Sequence, residues 1–362
     1  MYFSLEVKSK RDDFYDMEAE LDSLISELLD PISRMAVVKG IRRTGKSSLV
    51  RVTLSELDLP YVLIDLRLGG SISPEDIYSY LSDELSRLLE QERGIKKFLS
   101  KIKEVEIAGF RIEISRKSLS TVGRLVGALN EWAESEGSYL VMAFDEAQDL
   151  RLIRGFSELL AHIYDYEGRV KLLLAGSEVG LLDRLLGRED PSSPLFGRAY
   201  AEIQLKKFPR ERSLDFLAKG FEQVGISPPL RELEEAVDKL DGIVGWLTYY
   251  GYHRMRMEHE DALERTIYEG ASLAARELEN FLSIRGIARK RYVEVLRILM
   301  NPSRWSDVKR GLTIALGTRI SDKQITTYLR ELVEYGFVEK RDGLYELADP
   351  LLVEAVRRGL VR

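Results

Sequence analysis

The 362-residue chain has no cysteine. Disulfides and thiolate zinc sites are thereby excluded, and the cytoplasm is the expected compartment. Histidine is scarce: His162, His253 and His259 are scattered, and no same-face helical spacing joins them. Each reads as an ordinary surface or core residue rather than a metal ligand. No apolar run approaches the roughly 20 residues that cross a bilayer. Met1–Lys10 lacks the apolar centre of a signal peptide. The guanine-reading element N-K-x-D is missing, and no phosphoacceptor site of a kinase stands out.

What remains is a chain with 44% hydrophobic and 31% charged residues, long enough for two or three domains. The net charge of −6 conceals an asymmetry. From Ile284 to Arg362 there are 16 basic and 10 acidic residues, a balance of +6, which leaves −12 for the rest. An acidic body carrying a basic C-terminal module is a pattern found where nucleic acid is a partner.

The chain is organised around one stretch. The apolar run Met35-Ala36-Val37-Val38-Lys39 leads into Gly40-Ile41-Arg42-Arg43-Thr44-Gly45-Lys46-Ser47, and a helix-compatible segment follows. This is the strand, G-x-x-x-x-G-K-[ST] loop and helix of a P-loop. Gly40 and Gly45 let the backbone N–H groups converge on phosphate oxygens. Lys46 brings a mobile positive charge to the β- and γ-phosphates, and the Ser47 hydroxyl suits Mg²⁺. The helix opening near Gly45 directs its positive dipole end at the anion. Gly40, Arg42, Arg43, Thr44, Gly45, Lys46, Ser47 and Ser48 are the expected nucleotide contacts.

A second stretch, Tyr139 to Phe144, runs apolar into Asp145-Glu146-Ala147-Gln148. A buried strand carries charge at its C-terminal tip, where ligands sit in an open parallel sheet. Read as a Walker B element, it gives Asp145 to Mg²⁺ and Glu146 to the attacking water as general base. The same residues also fit a strand ending in a solvated acidic turn. Val170–Ala175 is another buried strand followed by Gly176-Ser177. Ser177 fits a γ-phosphate sensor or a helix cap. In the Pro- and Gly-containing loop Asp190–Arg198, Arg198 either faces phosphate, within the chain or toward a neighbouring subunit, or is a surface residue.

Around these motifs, apolar spacing predicts a helix from Asp13 to Leu29, ended by Asp30-Pro31. It predicts a strand over Leu59–Leu66, helices over Pro74–Glu90 and Ser118–Ser135, and a short strand over Ala201–Leu205. Between the two helices, Gly94 to Lys117 reads as an exposed insertion with a small hairpin at Gly109. Helices follow over Glu211–Val224 and Leu230–Leu240, and on to Ser283. Gly242 and Gly245, at the start of one of them, fit close approach to adenine or a plain interhelix turn with Trp246 in the core.

The end of the chain predicts helices over Arg291–Met300, Trp305–Leu316 and Asp322–Tyr335, the last capped by Ser321. A hairpin around Asp342-Gly343 follows. Three helices and a hairpin make a winged helix. Its third helix would expose Lys323, Gln324, Thr327 and Arg330, and its wing Lys340 and Arg341, as DNA contacts. Glu331, Glu334, Glu339 and Asp342 on the same elements oppose phosphate, and a protein-interaction module fits equally.

With these motifs in hand, the chain resembles the archaeal ATPase family within the STAND/AAA+-like P-loop NTPases. The match is carried by GIRRTGKSSL from Gly40, LVMAFDEAQ ending at Gln148, LLLAGSE ending at Glu178, SPLFGR ending at Arg198, and ISDKQITTYLRELVEYGFVEK with LYELADP near the C-terminus. The resemblance implies an α/β fold: a P-loop NTPase core with a five-stranded parallel sheet of order 5-1-4-3-2, a helical lid and a winged helix, over 1–207, 208–283 and 284–362. It implies ATP as the nucleotide, the roles above for Lys46, Ser47, Asp145 and Glu146, a sensor position at Ser177 and a motif arginine at Arg198. One departure stands out: where the family often has Gly-x-Pro near the lid helix, this chain has Gly242-Ile243-Val244. The leading expectation is a Mg²⁺-dependent ATP-hydrolysing switch. The alternatives are a nucleotide-gated DNA-binding regulator with negligible turnover, and an interaction scaffold holding ADP. A protein partner or self-association would suit any of them.

Overall fold

The computed structural model describes residues 1–69, 74–115, 118–188 and 190–361. Residues 116 and 117 of the expected insertion lie outside the described residues, as do 70–73 and 189 of the expected core segment and 362 of the winged-helix segment. The chain divides into two compact units. One comprises Val7–Gly40 and Lys46–Leu205; the other comprises Met1–Glu6, Ile41–Gly45 and Lys206–Arg362.

The first unit is a sheet with helices. Its strands are β1 (Met35–Lys39), β2 (Tyr61–Asp65), β3 (Val105–Ala108), β4 (Arg111–Ile114), β5 (Leu140–Asp145), β6 (Val170–Gly176) and β7 (Ala201–Gln204). Five of them form a parallel sheet in the order β2-β5-β6-β1-β7. The label 5-1-4-3-2 therefore does not hold as a numbering of all strands, because the antiparallel hairpin β3–β4 intervenes along the chain. With the hairpin set aside, the five parallel strands occupy those places, read from the β7 edge. Strands β1, β5 and β6 are buried along their whole length, as expected of central parallel strands covered on both faces.

The buried lysines of this sheet find polar partners locally. Lys39, at the end of β1, is fully buried and bonds both Asp183 and Glu202, the latter at 2.9 Å. Burial works against its charge, but the two carboxylates outweigh it and hold the ammonium above its ordinary range. Lys171 in β6 donates to the carbonyls of Asp30 and Ser33 at 2.5 and 2.8 Å.

Two local expectations change. The first helix spans Glu18–Leu29, not Asp13–Leu29, because Asp16 adopts a left-handed conformation (φ 41°) that interrupts it. Phe14 and Met17 are buried all the same. The insertion is not simply exposed. Ile95, Leu99, Ile102, Val105, Ile112 and Ile114 join the core of the sheet unit, and the Ser86 hydroxyl accepts from the Ile112 N–H at 2.9 Å. Its alternating charged residues form the outer face of a hairpin whose inner face is apolar.

The second unit is built from helices and a small sheet. Helices Arg210–Glu222, Leu230–Leu240, Val244–Arg254 and His259–Ser283 precede Arg289–Ile298, Trp305–Leu316, Asp322–Glu334 and Pro350–Arg357. Strands β8 (Ser303–Arg304), β9 (Val338–Arg341) and β10 (Leu344–Leu347) form an antiparallel sheet in the order β8-β10-β9. Asp342 and Gly343 both have positive φ (50° and 80°), which the tight turn of the wing requires. Ser321 caps the third helix by accepting from the Gln324 N–H at 3.3 Å. The start of the chain belongs to this unit: Phe3 is fully buried against Phe216 and Phe221, with ring centroids 5.8 and 4.7 Å away. A Cβ at Gly220 or Gly251 would overlap the Phe3 ring, so these two glycines make the slot that it fills.

Candidate functional site

The parallel sheet collects chemistry at the C-terminal ends of its strands. Register places Asp65 beside Asp145, Phe144 beside Leu174, and Lys39 beside Gly176. One edge therefore carries the tip of β2, the Asp145-Glu146 pair, Ser177 and the exit from β1 into the P-loop. The helix that follows the loop begins at Lys46, and its second residue, Ser47, meets this edge at Asp145. Lys46, Asp145 and Ser177 are all buried.

Asp145 accepts a hydrogen bond from the Ser47 side chain. Burial, and then the nearby Glu146 charge, push its carboxyl above the usual range, while Ser47 and Arg67 act in the opposite direction. A hydroxyl and a carboxylate in contact offer the hard oxygen ligands that Mg²⁺ takes. Among the described residues no three His, Cys, Asp or Glu side chains converge as a metal site. Ser47 and Asp145 thus fit an Mg²⁺ that completes its shell with phosphate and water oxygens rather than a preformed protein cage.

Glu146 sits in a left-handed conformation (φ 54°), an uncommon state for a residue with a Cβ. Its Oε2 accepts from the Ser177 hydroxyl at 2.7 Å, the Ser177 N–H at 3.2 Å and the Gln148 carboxamide at 2.7 Å. Sequence reasoning did not single out Gln148; its place two residues beyond Glu146 was the available signal. Arg67 was also missed, as was Asp65. The Arg67 Nη2 lies 2.5 Å from Asp65 and 3.2 Å from Asp145.

Arg198 is elsewhere engaged. Its Nε bonds Asp165 at 3.0 Å, its Nη2 reaches the same carboxylate at 2.5 Å, and its Nη1 donates to the Pro194 carbonyl. The Ser48 hydroxyl accepts from the Lys8 N–H at 3.1 Å.

The P-loop backbone has the alternation of a phosphate nest. Arg43 has φ 66° and Gly45 φ 95°. The Thr44 hydroxyl donates to the Ile41 carbonyl at 2.8 Å and closes the loop on itself. In the helical unit the side chains of this loop bond residues of the unit itself. Arg43 bonds Glu277 through both terminal nitrogens, at 3.1 and 2.5 Å. Its guanidinium lies 4.2 Å from the ring centroid of Trp246 and 3.8 Å from Asp349. The Trp246 indole N–H donates to both oxygens of Asp349 at 2.9 and 3.0 Å. Arg42 donates to the Tyr335 carbonyl at 2.8 Å and stacks over Phe337. Of the residues expected to contact nucleotide, Arg42 and Arg43 thus have their side chains engaged within the helical unit.

The glycines before Trp246 serve this arrangement. The Gly245 N–H donates to the Arg43 carbonyl at 3.0 Å, and a Cβ there would come within 2.7 Å of the Arg43 Cβ. Gly242 has φ 66°, and a Cβ on it would overlap the Phe208 carbonyl. Both positions are closely packed, against Phe208 and Arg43, which accords with the interhelix-turn alternative.

In the winged helix, Lys323, Gln324 and Arg330 are exposed and Thr327 is half-buried; Lys340 and Arg341 are exposed on the wing. The Thr327 hydroxyl donates to the Lys323 carbonyl. Arg330 pairs with Glu334 at 3.7 Å, and Arg341 pairs with Glu339.

Comparison with known proteins places these features. A family model described as an ATPase domain predominantly from Archaea matches residues 14–249. A model of the C-terminal winged helix-turn-helix domain of MCM proteins matches residues 286–348. A Walker-type ATPase of Pyrococcus abyssi is 34% identical over 99% of this chain and 100% of its own, with a TM-score of 0.80. The ORC2 protein of Aeropyrum pernix, solved as ADPNP–ADP complexes, shares the fold at 14% identity and a TM-score of 0.62, over 98% and 95% of the two chains. No curated protein sequence matches.

Proposed function

The chain belongs to the family of ATPase domains found predominantly in Archaea, and from that premise we propose that it is a Mg²⁺-dependent ATPase whose P-loop reports nucleotide state to its C-terminal helices. The observation that carries the reading is the cluster at one edge of the sheet, where Ser47 bonds Asp145 and Ser177 bonds Glu146 at the tips of adjacent strands. The nucleotide complexes of the Aeropyrum pernix fold relative are consistent with ATP or ADP as the ligand.

In this reading the loop N–H groups and the Lys46 ammonium hold the phosphates. Ser47 and Asp145 would hold Mg²⁺, which would supply positive charge against the phosphates. Glu146 orients a water in line with the γ-phosphorus and accepts its proton. The water oxygen bonds to phosphorus, the bridging β–γ bond breaks, and its electron pair leaves on ADP. The proton passes from Glu146 to the products. Ser177 and Gln148 hold the resting carboxylate through Oε2, and a carboxylate has further lone pairs with which to accept from the water. Ser177, in contact with that carboxylate, takes the sensor role. Arg198 assists phosphate only after leaving Asp165. Phosphate release from ATP by the purified full chain, with and without Mg²⁺, tests this reading.

The switch rests on Arg43. Its backbone is part of the phosphate loop, while its side chain belongs to Glu277, Trp246 and Asp349. Any change of loop conformation on phosphate binding strains or relaxes that cluster. The helical segment 208–283 acts as the lid, and the winged helix, whose Tyr335 carbonyl takes Arg42, responds with it. Coupling free energies of this kind run about 1–3 kcal/mol. Glu277→Gln is therefore expected to change the ATP affinity by about fivefold or more with the fold retained. Unchanged affinity, measured by titration with a fluorescent nucleotide, would remove the coupling.

A second reading, duplex binding by the winged helix, is favoured by the exposure of Lys323, Gln324, Arg330, Lys340 and Arg341. The pairing of Arg330 and Arg341 with glutamates weakens it. A duplex titration in rising salt tests it.

A further inference from the structure

Asp65 and Asp145 end adjacent strands, and the parallel register sets them side by side. Two carboxylates in this position repel each other and the neighbouring Glu146, and Asp145 is 5% exposed, with little water to screen it. Among the described residues Arg67 answers that charge most directly, with a smaller contribution from Arg51 at Asp65. Arg67 lies in the short 3₁₀ turn Leu66–Gly69 directly after β2. Its own N–H and its Nε bond Asp65 Oδ1 at 3.1 and 2.8 Å. Its Nη2 bridges the two strands, 2.5 Å from Asp65 Oδ2 and 3.2 Å from Asp145 Oδ2.

The grip is asymmetric. Asp65 holds Arg67 by three hydrogen bonds, whereas Asp145 holds it by one longer contact. The charges respond accordingly. Burial works against the ionised Asp65, yet the hydrogen bonds from Arg67 prevail and keep its carboxyl below the usual range. Arg67 itself is raised above the ordinary guanidinium range, first by its hydrogen bond to Asp65 and also by the charges of Asp145 and Glu146. Asp145 is still raised, so one Nη2 contact does not fully compensate it.

From this geometry we infer that Arg67 is a tethered counter-ion that occupies Asp145 before nucleotide arrives and is displaced from it, while still held by Asp65, when Mg²⁺ enters with the phosphates. The inference rests on the assignment of Asp145 to Mg²⁺. Arg67 is then a positioning residue that raises the Mg²⁺ concentration the site requires and keeps Asp145 from remaining an uncompensated buried charge between turnovers. Only the Nη2–Asp145 contact has to break. The Asp65 contacts act as a hinge, and the side chain, 42% exposed, has solvent to swing into.

The test uses the full chain with a non-hydrolysable ATP analogue. The Mg²⁺ concentration giving the half-maximal gain in analogue affinity is measured for the wild type, Arg67→Gln and Arg67→Lys. Arg67→Gln is expected to lower it about fivefold, the scale of one partly exposed ion pair, with Arg67→Lys in between because its compact ammonium cannot bridge both carboxylates. A parallel measurement takes the melting temperature without nucleotide. Arg67→Gln melts lower than the wild type, and added Mg²⁺ narrows the gap. An ordinary surface ion pair would lower the melting temperature without moving the Mg²⁺ dependence, and that result overturns the inference. If neither protein binds the analogue, the ATPase reading fails, and the melting comparison alone decides whether Arg67 competes with Mg²⁺.

Discussion

Replacing Glu146 with Gln leaves ATP binding in place and lowers phosphate release by about 10²–10⁴-fold, the usual weight of a general base. The substitution preserves shape and keeps an oxygen to accept from Ser177, so the cluster of Ser177, Gln148 and residue 146 survives. What disappears is the site that accepts the proton. The nest and the Ser47–Asp145 hydrogen bond remain, and losing the Glu146 charge relieves Asp145 of a repulsion, which is why binding persists. A nucleotide titration beside a phosphate-release assay separates the two. Turnover equal to that of the wild type would take the base role away from Glu146.

Phe3→Ala is expected to destabilise the helical unit by about 3–5 kcal/mol, the range for deleting a buried phenyl ring. The ring is fully buried between helices whose Gly220 and Gly251 have no side chain to fill the space, so the cavity cannot close by a small shift of neighbouring groups. It also loses the edge contacts to Phe216 and Phe221. Denaturant unfolding of the variant should show a lower midpoint. A loss under about 1 kcal/mol would mean that the N-terminal segment does not stay seated in this slot.

The parts of the site that could be read from the sequence are those whose chemistry is local. The P-loop needs glycine, lysine and serine at fixed spacing, and an apolar run into Asp145-Glu146 can only be a strand tip with charge at its end. The wing turn at Asp342-Gly343 and the Ser321 cap are local in the same way. What could not be read depends on register or on distance along the chain. Arg67 follows an ordinary strand and gains meaning only because β2 pairs with β5 and sets Asp65 beside Asp145. Arg43 fits the variable part of the loop, and nothing near it points to Glu277 or Asp349, which lie far along the chain. The glycines before Trp246 fitted either approach to a flat ligand or a plain interhelix turn, and only the fold shows the close packing on Phe208 and Arg43 that the turn makes. The insertion looked exposed because its charges alternate with aliphatics, which is also how a hairpin with one buried face reads.

The most direct test of the account is phosphate release from ATP by the purified full chain in the presence and absence of Mg²⁺. Turnover that requires Mg²⁺ is the result the arrangement of Lys46, Ser47, Asp145 and Glu146 calls for. ATP bound at the P-loop with no phosphate released under either condition would contradict it.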